Sequence, residues 1–160
     1  MNDDGSNQTR LTNTGGHETQ PECSNDGTKV HFDSARDGNA EIYVMNIDGS
    51  GQIRLTNSPQ GDSTGSWSPD DSKIVWACPS QGSADICLMN ADGTGKVNLT
   101  NDPNFIYNQP SFSPDGLRIA VQRDPGNQSS IYIMNADGTG MVRVTDNGSN
   151  GSSPSWGPAP

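Results

Sequence analysis

Residues 134–140 read MNADGTG, and residues 89–95 read MNADGTG again. Residues 45–51 read MNIDGSG, and the chain opens on MNDDGSN. The four methionines stand at positions 1, 45, 89 and 134, so the phrase returns every 44 or 45 residues. A fixed period of this length marks stacked copies of one supersecondary unit. The flanks return with it. Each phrase is followed by Gln8-Thr9-Arg10-Leu11-Thr12, Ile53-Arg54-Leu55-Thr56, Val97-Asn98-Leu99-Thr100 or Val142-Arg143-Val144-Thr145. Further on come PECSNDG at 21–27, GSWSPDD at 65–71, PSFSPDG at 110–116 and PSWGPAP at 154–160.

One unit, 65–108, shows the local grammar. Residues 66–68 are a short predicted strand, turned by Pro69-Asp70-Asp71. Residues 73–78 and 85–89 are rich in β-branched and aromatic residues and predict two more strands. Asp92-Gly93 suits a tight hairpin, because both residues tolerate positive φ. Residues 96–100 alternate apolar and polar side chains, the pattern of a fourth strand. Each unit therefore predicts a four-stranded antiparallel meander. Four short strands per 44 residues indicate a propeller-type blade; a parallel β-helix has shorter rungs and lacks this hairpin. The expected fold is all-β, an array of four-stranded blades.

Composition sets limits. Only 29% of residues are hydrophobic, a value that by itself suits a disordered chain. The repeat overrules it, since a blade keeps a small apolar set at fixed positions and buries it against its neighbours. The net charge of −10 speaks against a nucleic-acid backbone as partner and suits cations or a basic protein surface. No apolar run of membrane-spanning length occurs, so no membrane insertion is expected. The cysteines, Cys23, Cys78 and Cys87, lack zinc-ligand spacing. Cys78 and Cys87 fall on neighbouring predicted strands joined by a short loop, where a disulfide is compatible with the spacing. Cys23 stands in the slot of Trp67, Phe112 and Trp156 and is expected to be a small buried residue.

The run visible in Ser113-Pro114-Asp115-Gly116, Ile42-Tyr43-Val44-Met45-Asn46 and Asp48-Gly49-Ser50-Gly51 resembles the TolB-type, WD-like β-propeller repeat. The resemblance covers essentially the whole chain. It departs from the pattern at Cys23-Ser24-Asn25-Asp26 and stops at Gly157-Pro158-Ala159-Pro160. It implies an extracellular or periplasmic protein with a binding or structural role, and loops that rim a central channel where partners dock. The expected organisation is a single repeat domain over 1–160. Residues 1–17 give an outer strand of a shared blade, 18–61, 62–106 and 107–152 are three full blades, and 153–160 give an inner strand of the shared blade. That blade would lack its two middle strands. Three routes complete it: further sequence, a second copy forming a dimer, or head-to-tail copies forming a filament.

Most notable polar residues recur in every copy, which points to architecture rather than catalysis, and no catalytic residue is assigned. Asp48, Asp92 and Asp137 are turn aspartates. With Asn46, Asn90 and Asn135 they also resemble the opening of an oxygen-rich calcium loop, so Ca²⁺ is the cofactor to consider, although each site offers few carboxylates. The inter-blade loops are where copies differ, and variable loops on a rigid scaffold carry binding. They supply His17, Glu18, Asp62, Asn104, Phe105 and Tyr107 as candidate partner-binding residues, together with 147–152. Mid-strand His31 is expected to be exposed or hydrogen-bonded. The expected function is a non-catalytic scaffold for protein–protein interaction or self-assembly. The alternatives are an accessory propeller of a larger hydrolase or lyase, or a calcium-dependent structural assembly.

Overall fold

The computed structural model describes residues 1, 4–80, 82–126, 128–146 and 151–157, apart from the side chain of Thr64. Among them, three antiparallel four-stranded sheets carry the chain in sequence order. Blade 1 holds β1 (Glu18–Cys23), β2 (Lys29–Ser34), β3 (Glu41–Asn46) and β4 (Ile53–Arg54). Blade 2 holds β5 (Ser63–Trp67), β6 (Lys73–Ser80), β7 (Ser83–Asn90) and β8 (Val97–Asn98). Blade 3 holds β9 (Ile106–Phe112), β10 (Arg118–Asp124), β11 (Ser130–Asn135) and β12 (Val142–Arg143). The all-β, blade-by-blade architecture expected from the repeat is the one the chain adopts. No helix among the described residues is long and apolar enough to cross a membrane.

The repeated phrases are turns held by their own side chains. In the Ser-x-Asp turn between the first two strands, the Ser68 hydroxyl accepts the Lys73 amide at 2.9 Å and donates to Asp70 Oδ1 at 2.6 Å. Ser24 with Asp26, and Ser113 with Asp115, repeat this pattern. In the Asn-x-Asp-Gly-Thr turn, Asp92 Oδ1 accepts both the amide and the hydroxyl of Thr94, while Asn90 Nδ2 donates to that same hydroxyl. These local bonds fix the hairpin, and with it the register of β7 on β8.

The outer strand is shorter than expected, two residues rather than five. A side chain replaces the ladder: Thr56, Thr100 and Thr145 each accept the amide of Ile42, Ile86 or Ile131 at 2.9–3.1 Å. Behind the first two threonines sit buried carboxylates, Glu41 and Asp85, which accept the hydroxyls at 2.7 Å. Burial alone would raise the Asp85 carboxyl, but donors from Asn98, Ser80 and Thr100 outweigh it and hold the group below the ordinary range.

The core lies between blades. The front face of blade 1, Ile42, Val44 and Leu55, meets the rear face of blade 2, including Trp67, Ile74, Trp76 and Met89. The front of blade 2, with Val75 and Ile86, meets Tyr107, Phe112, Ile119, Val121 and Met134 of blade 3. The hairpin glycines make this approach possible. Gly93 (φ +85°) rests on Leu55, and Gly138 (φ +87°) rests on Leu99. The Ser-x-Asp turns are also clasped. Asp71 accepts the amides of Asn25 and Asp26 at 2.7 and 2.8 Å, which offsets the left-handed backbone it adopts at φ 57°.

Two expectations are corrected at the ends. Neither the described part of 1–17 nor 151–157 forms a strand ladder. Both segments nevertheless make side-chain contacts that recur within the blades. Leu11 packs on the rear core of blade 1, against Val30, Phe32, Tyr43 and Met45, as Leu55 packs on blade 2. Arg10 Nε reaches the Thr12 carbonyl at 2.6 Å, as Arg54 Nε reaches that of Thr56. Trp156 Nε1 donates to the Ser111 carbonyl at 3.0 Å, as Trp67 Nε1 donates to that of Glu22 at 3.2 Å. Each segment leans on a blade, and neither pairs with a strand among the described residues. Cys23 is exposed rather than buried: its slot faces rearward, where no blade among the described residues covers it.

Cys78 and Cys87 are joined as a disulfide on the rear face of blade 2, with their Cα atoms 5.8 Å apart and nine residues apart in sequence. Closing so short a loop stabilises by roughly 2–3 kcal/mol through the entropy of the unfolded chain. Urea unfolding with and without dithiothreitol is expected to show a loss of that size. A Cys78→Ser/Cys87→Ser variant, indifferent to reductant, should match the reduced protein.

Candidate functional site

The first strands of all three blades line one cleft together. Each is irregular there: register shifts fall between Thr19 and Glu22, between Ser63 and Ser66, and at Ala120 and Gln122 opposite β9. At these bulges Gln20 and Gln109 adopt φ 51°, and Ser153 of the C-terminal segment adopts φ 50°. Left-handed residues without glycine's freedom are uncommon and gather where a strand must re-aim a side chain. Here they surround a cleft of about 400 Å³ lined by Gln20, Glu22, Ser66, Gln109, Ser111 and Ser155, among others. Its walls are prolines and uncharged polar groups, with Glu22 as the acid.

Glu22 is singular. Its counterparts in the other copies are Ser66, Ser111 and Ser155. Its carboxylate lies 3.0 Å from His31 Nε2, and its side chain is 45% exposed while that of His31 is 0% exposed. The imidazole is packed 5.8 Å from the Trp67 ring. His31 is thus hydrogen-bonded, as one of the two expectations had it, but wholly buried rather than exposed. Its counterparts are Val75 and Ala120. An enclosed ring cannot reach a ligand in the cleft. It can hold the Glu22 carboxylate in one orientation at the cleft wall. The arrangement suits recognition of a polar chain better than proton transfer to one.

The six loop candidates do not form one cluster. They stand at the entries to three different blades, and Glu18 and Tyr107 belong to strands β1 and β9 rather than to the loops expected. His17 and Asn104 are exposed, and Glu18 and Phe105 are half-buried. Asp62 and Tyr107 are buried. Glu18 accepts from Thr14 and Ser34 and lies 3.6 Å from Arg36. Tyr107 donates to Asp102 at 3.2 Å, and burial foremost pushes its hydroxyl up to about 12. Asp62 accepts from Trp76 Nε1 at 2.9 Å and from Ser58 at 2.6 Å. It sits at the floor of a second cleft, of about 560 Å³, between blades 1 and 2. Residues 147–150 of the fourth loop, and 158–160, lie outside the described residues. Attention to likeness between copies passes over the Glu22–His31 pair, although both positions break the repeat and so carry a signal.

The calcium candidates are engaged locally. Asp48, Asp92 and Asp137 each accept the amide and hydroxyl two residues on. Asn46, Asn90 and Asn135 donate to those same hydroxyls. Among the described residues no group of three or more acidic, histidine or cysteine side chains comes together as a metal site.

The same bonds set a pH dependence. Side-chain and backbone donors hold Asp26, Asp48, Asp92, Asp115 and Asp137 below the usual aspartate value of 3.8, and those of Ser68 and Ser72 take Asp70 down to about 2. A carboxyl depressed in the folded state stabilises it above the unfolded pKa and loses that contribution as pH falls through the folded value. Stability is therefore expected to be flat above about pH 5 and to fall from about pH 4 towards about pH 2. Urea midpoints across that range test this, and Asp70→Asn should flatten the lower part of the curve.

Comparison with known proteins agrees with this geometry. The family model for the TolB beta propeller domain matches residues 1–159. Among solved structures the chain is similar to a putative TolB from Agrobacterium tumefaciens, at 25% identity and TM-score 0.72, over 78% of this chain and 45% of that one. It is similar to TolB from Acinetobacter baumannii at 20% identity and TM-score 0.75, over 86% of this chain and 34% of that one. An oligogalacturonate lyase from Vibrio parahaemolyticus shares the fold at 15% identity and TM-score 0.66, over 84% of this chain and 42% of that one. The chain thus spans less than half of each. No curated protein sequence matches it significantly.

Proposed function

We propose that this chain, which belongs to the TolB beta propeller domain family, is a non-catalytic scaffold of the cell envelope or extracellular space that binds protein partners and mates with a second copy of itself. One observation carries this reading. At a single repeat position Leu55 is 8% exposed beneath blade 2, whereas its counterpart on blade 3, Val144, is 52% exposed. The front of blade 3 also presents half-buried Ile131 and Ile133. Inside the chain such a face packs against the rear face of the next blade, which supports this reading. The cleft lined by the three first strands adds a polar recognition surface, and the disulfide suits an oxidising compartment.

Sedimentation velocity over a range of concentrations tests the reading. Concentration-dependent association, lost in Ile133→Lys/Val144→Lys, is the expected result. A wild-type protein that stays monomeric throughout would overturn it. The accessory-module alternative draws support from the fold shared with a lyase. It gains ground if a catalytic domain is found joined to this one in the same gene product.

A further inference from the structure

One slot recurs on the rear face of every blade, and each copy fills it with different chemistry. It lies over the end of the second strand and the middle of the third. On blade 1 the strand residues are Ser34 and Tyr43. The Arg36 guanidinium lies over Tyr43 at 4.5 Å, with Glu18 3.6 Å away. On blade 3 the same two positions are Arg123 and Tyr132. The Arg123 guanidinium lies over Tyr132 at 4.9 Å and over Phe105 at 3.5 Å, with Asp102 3.6 Å away. Twice, then, the slot holds an arginine stacked on aromatic rings and faced by a carboxylate.

On blade 2 those positions are Cys78 and Cys87, joined to each other. A disulfide is much smaller than an arginine on a tyrosine. The volume left over is the 560 Å³ cleft between blades 1 and 2, lined by Trp76, Asp62, Cys78, Cys87, Arg54 and Lys96, among others. Asp62 holds the sequence position of Glu18, and its carboxylate is aimed by the Trp76 indole and the Ser58 hydroxyl. The cleft therefore keeps a carboxylate and an indole in its walls, only 1% and 3% exposed, and among the described residues no guanidinium is seen stacked on that indole as one is on the rings of the two sister slots.

We propose that this cleft receives an arginine side chain of a partner polypeptide. The guanidinium would pair with Asp62 and lie against the Trp76 ring and the disulfide. A planar, weakly hydrated cation suits such a surface, whereas the compact ammonium of lysine does not. Arg54 at the mouth does not oppose entry, since Glu41 at 2.9 Å and Asp37 at 3.5 Å compensate it. Lys96, whose ammonium rests on the Gly93 carbonyl, is a charge that binding must tolerate.

The test is an NMR titration of the oxidised protein with N-acetyl-arginine amide, N-acetyl-lysine amide and a short arginine-containing peptide, at concentrations where the protein is monomeric. The Trp76 indole N–H is the reporter, and those of Trp67 and Trp156 are internal controls. The expected result is a saturable shift of Trp76 alone, with the lysine compound about tenfold weaker and the peptide tighter than the single amino acid. Asp62→Asn should abolish the shift and Lys96→Gln should strengthen it. Cys78→Arg/Cys87→Tyr copies the pair of blade 3, fills the cleft from within and should also abolish it while the spectrum stays dispersed. An indole that does not move, or equal binding of lysine, or binding that survives the filled cleft, overturns the proposal. Ile133→Lys/Val144→Lys should bind as wild type, so this result stands apart from the self-association test.

Discussion

Replacing Gly138 with alanine is expected to lower the unfolding free energy by about 2–5 kcal/mol, read from urea denaturation. Two costs add. The backbone at φ +87° lies in the left-handed region, where a Cβ costs roughly 1–2 kcal/mol. The added methyl would also stand 2.6 Å from the Leu99 carbonyl oxygen. That neighbour is backbone of the adjacent blade and cannot turn aside, and forced overpacking costs about 1–3 kcal/mol. Gly27 supplies the control. Its φ is +69°, and a methyl added there would find nothing within 4 Å, so alanine meets the left-handed cost alone. If the two substitutions prove equally costly, the close stacking of hairpin on leucine is not what holds these blades together.

Trp67→Ala is expected to cost about 3–5 kcal/mol, the range for a large aromatic removed from a packed core. The side chain is 4% exposed, packs beside His31 and ties its indole nitrogen to the blade ahead of it in sequence. Trp67→Phe keeps most of the apolar contact and loses the Nε1 bond, a change of about 1–2 kcal/mol. Cys23→Ala alters the same repeat slot at an exposed side chain, so it should stay within about 0.5 kcal/mol. The ordering of the three measures the direction in which the blades stack. A Cys23 variant as damaging as the tryptophan one would mean that the slot faces the other way.

Much of the architecture was legible because the residues that build it recur. Asp92, Thr94 and Gly95 specify one hairpin wherever they occur, and Ser68 with Asp70 specifies one turn. Repetition at a fixed period makes coincidence untenable. What the sequence hid is what one copy does alone. Thr56, Thr100 and Thr145 read as the last residues of a strand, yet they end it by supplying a hydroxyl where a ladder carbonyl would stand. Cys23 read as buried because its counterparts are large aromatic residues, Trp67 and Phe112 among them in the core, yet it is exposed. Glu22 and His31 have no like pair in the other copies to suggest one, and the antiparallel register of β1 on β2 places them opposite. The cleft beneath Cys78 and Cys87 follows from a difference in side-chain volume between copies, which a reading tuned to likeness passes over.

The outer strands β4, β8 and β12 each pair through two residues. Ile53, Val97 and Val142 stand exposed on them. A longer rim would offer a row of free amides and carbonyls in register, beside an apolar side chain, to any passing extended chain. Two residues are too few to template such pairing. The threonine hydroxyls that cut the strands short therefore also protect a molecule with so little hydrophobic matter from the fibrous aggregation to which β-rich proteins are prone.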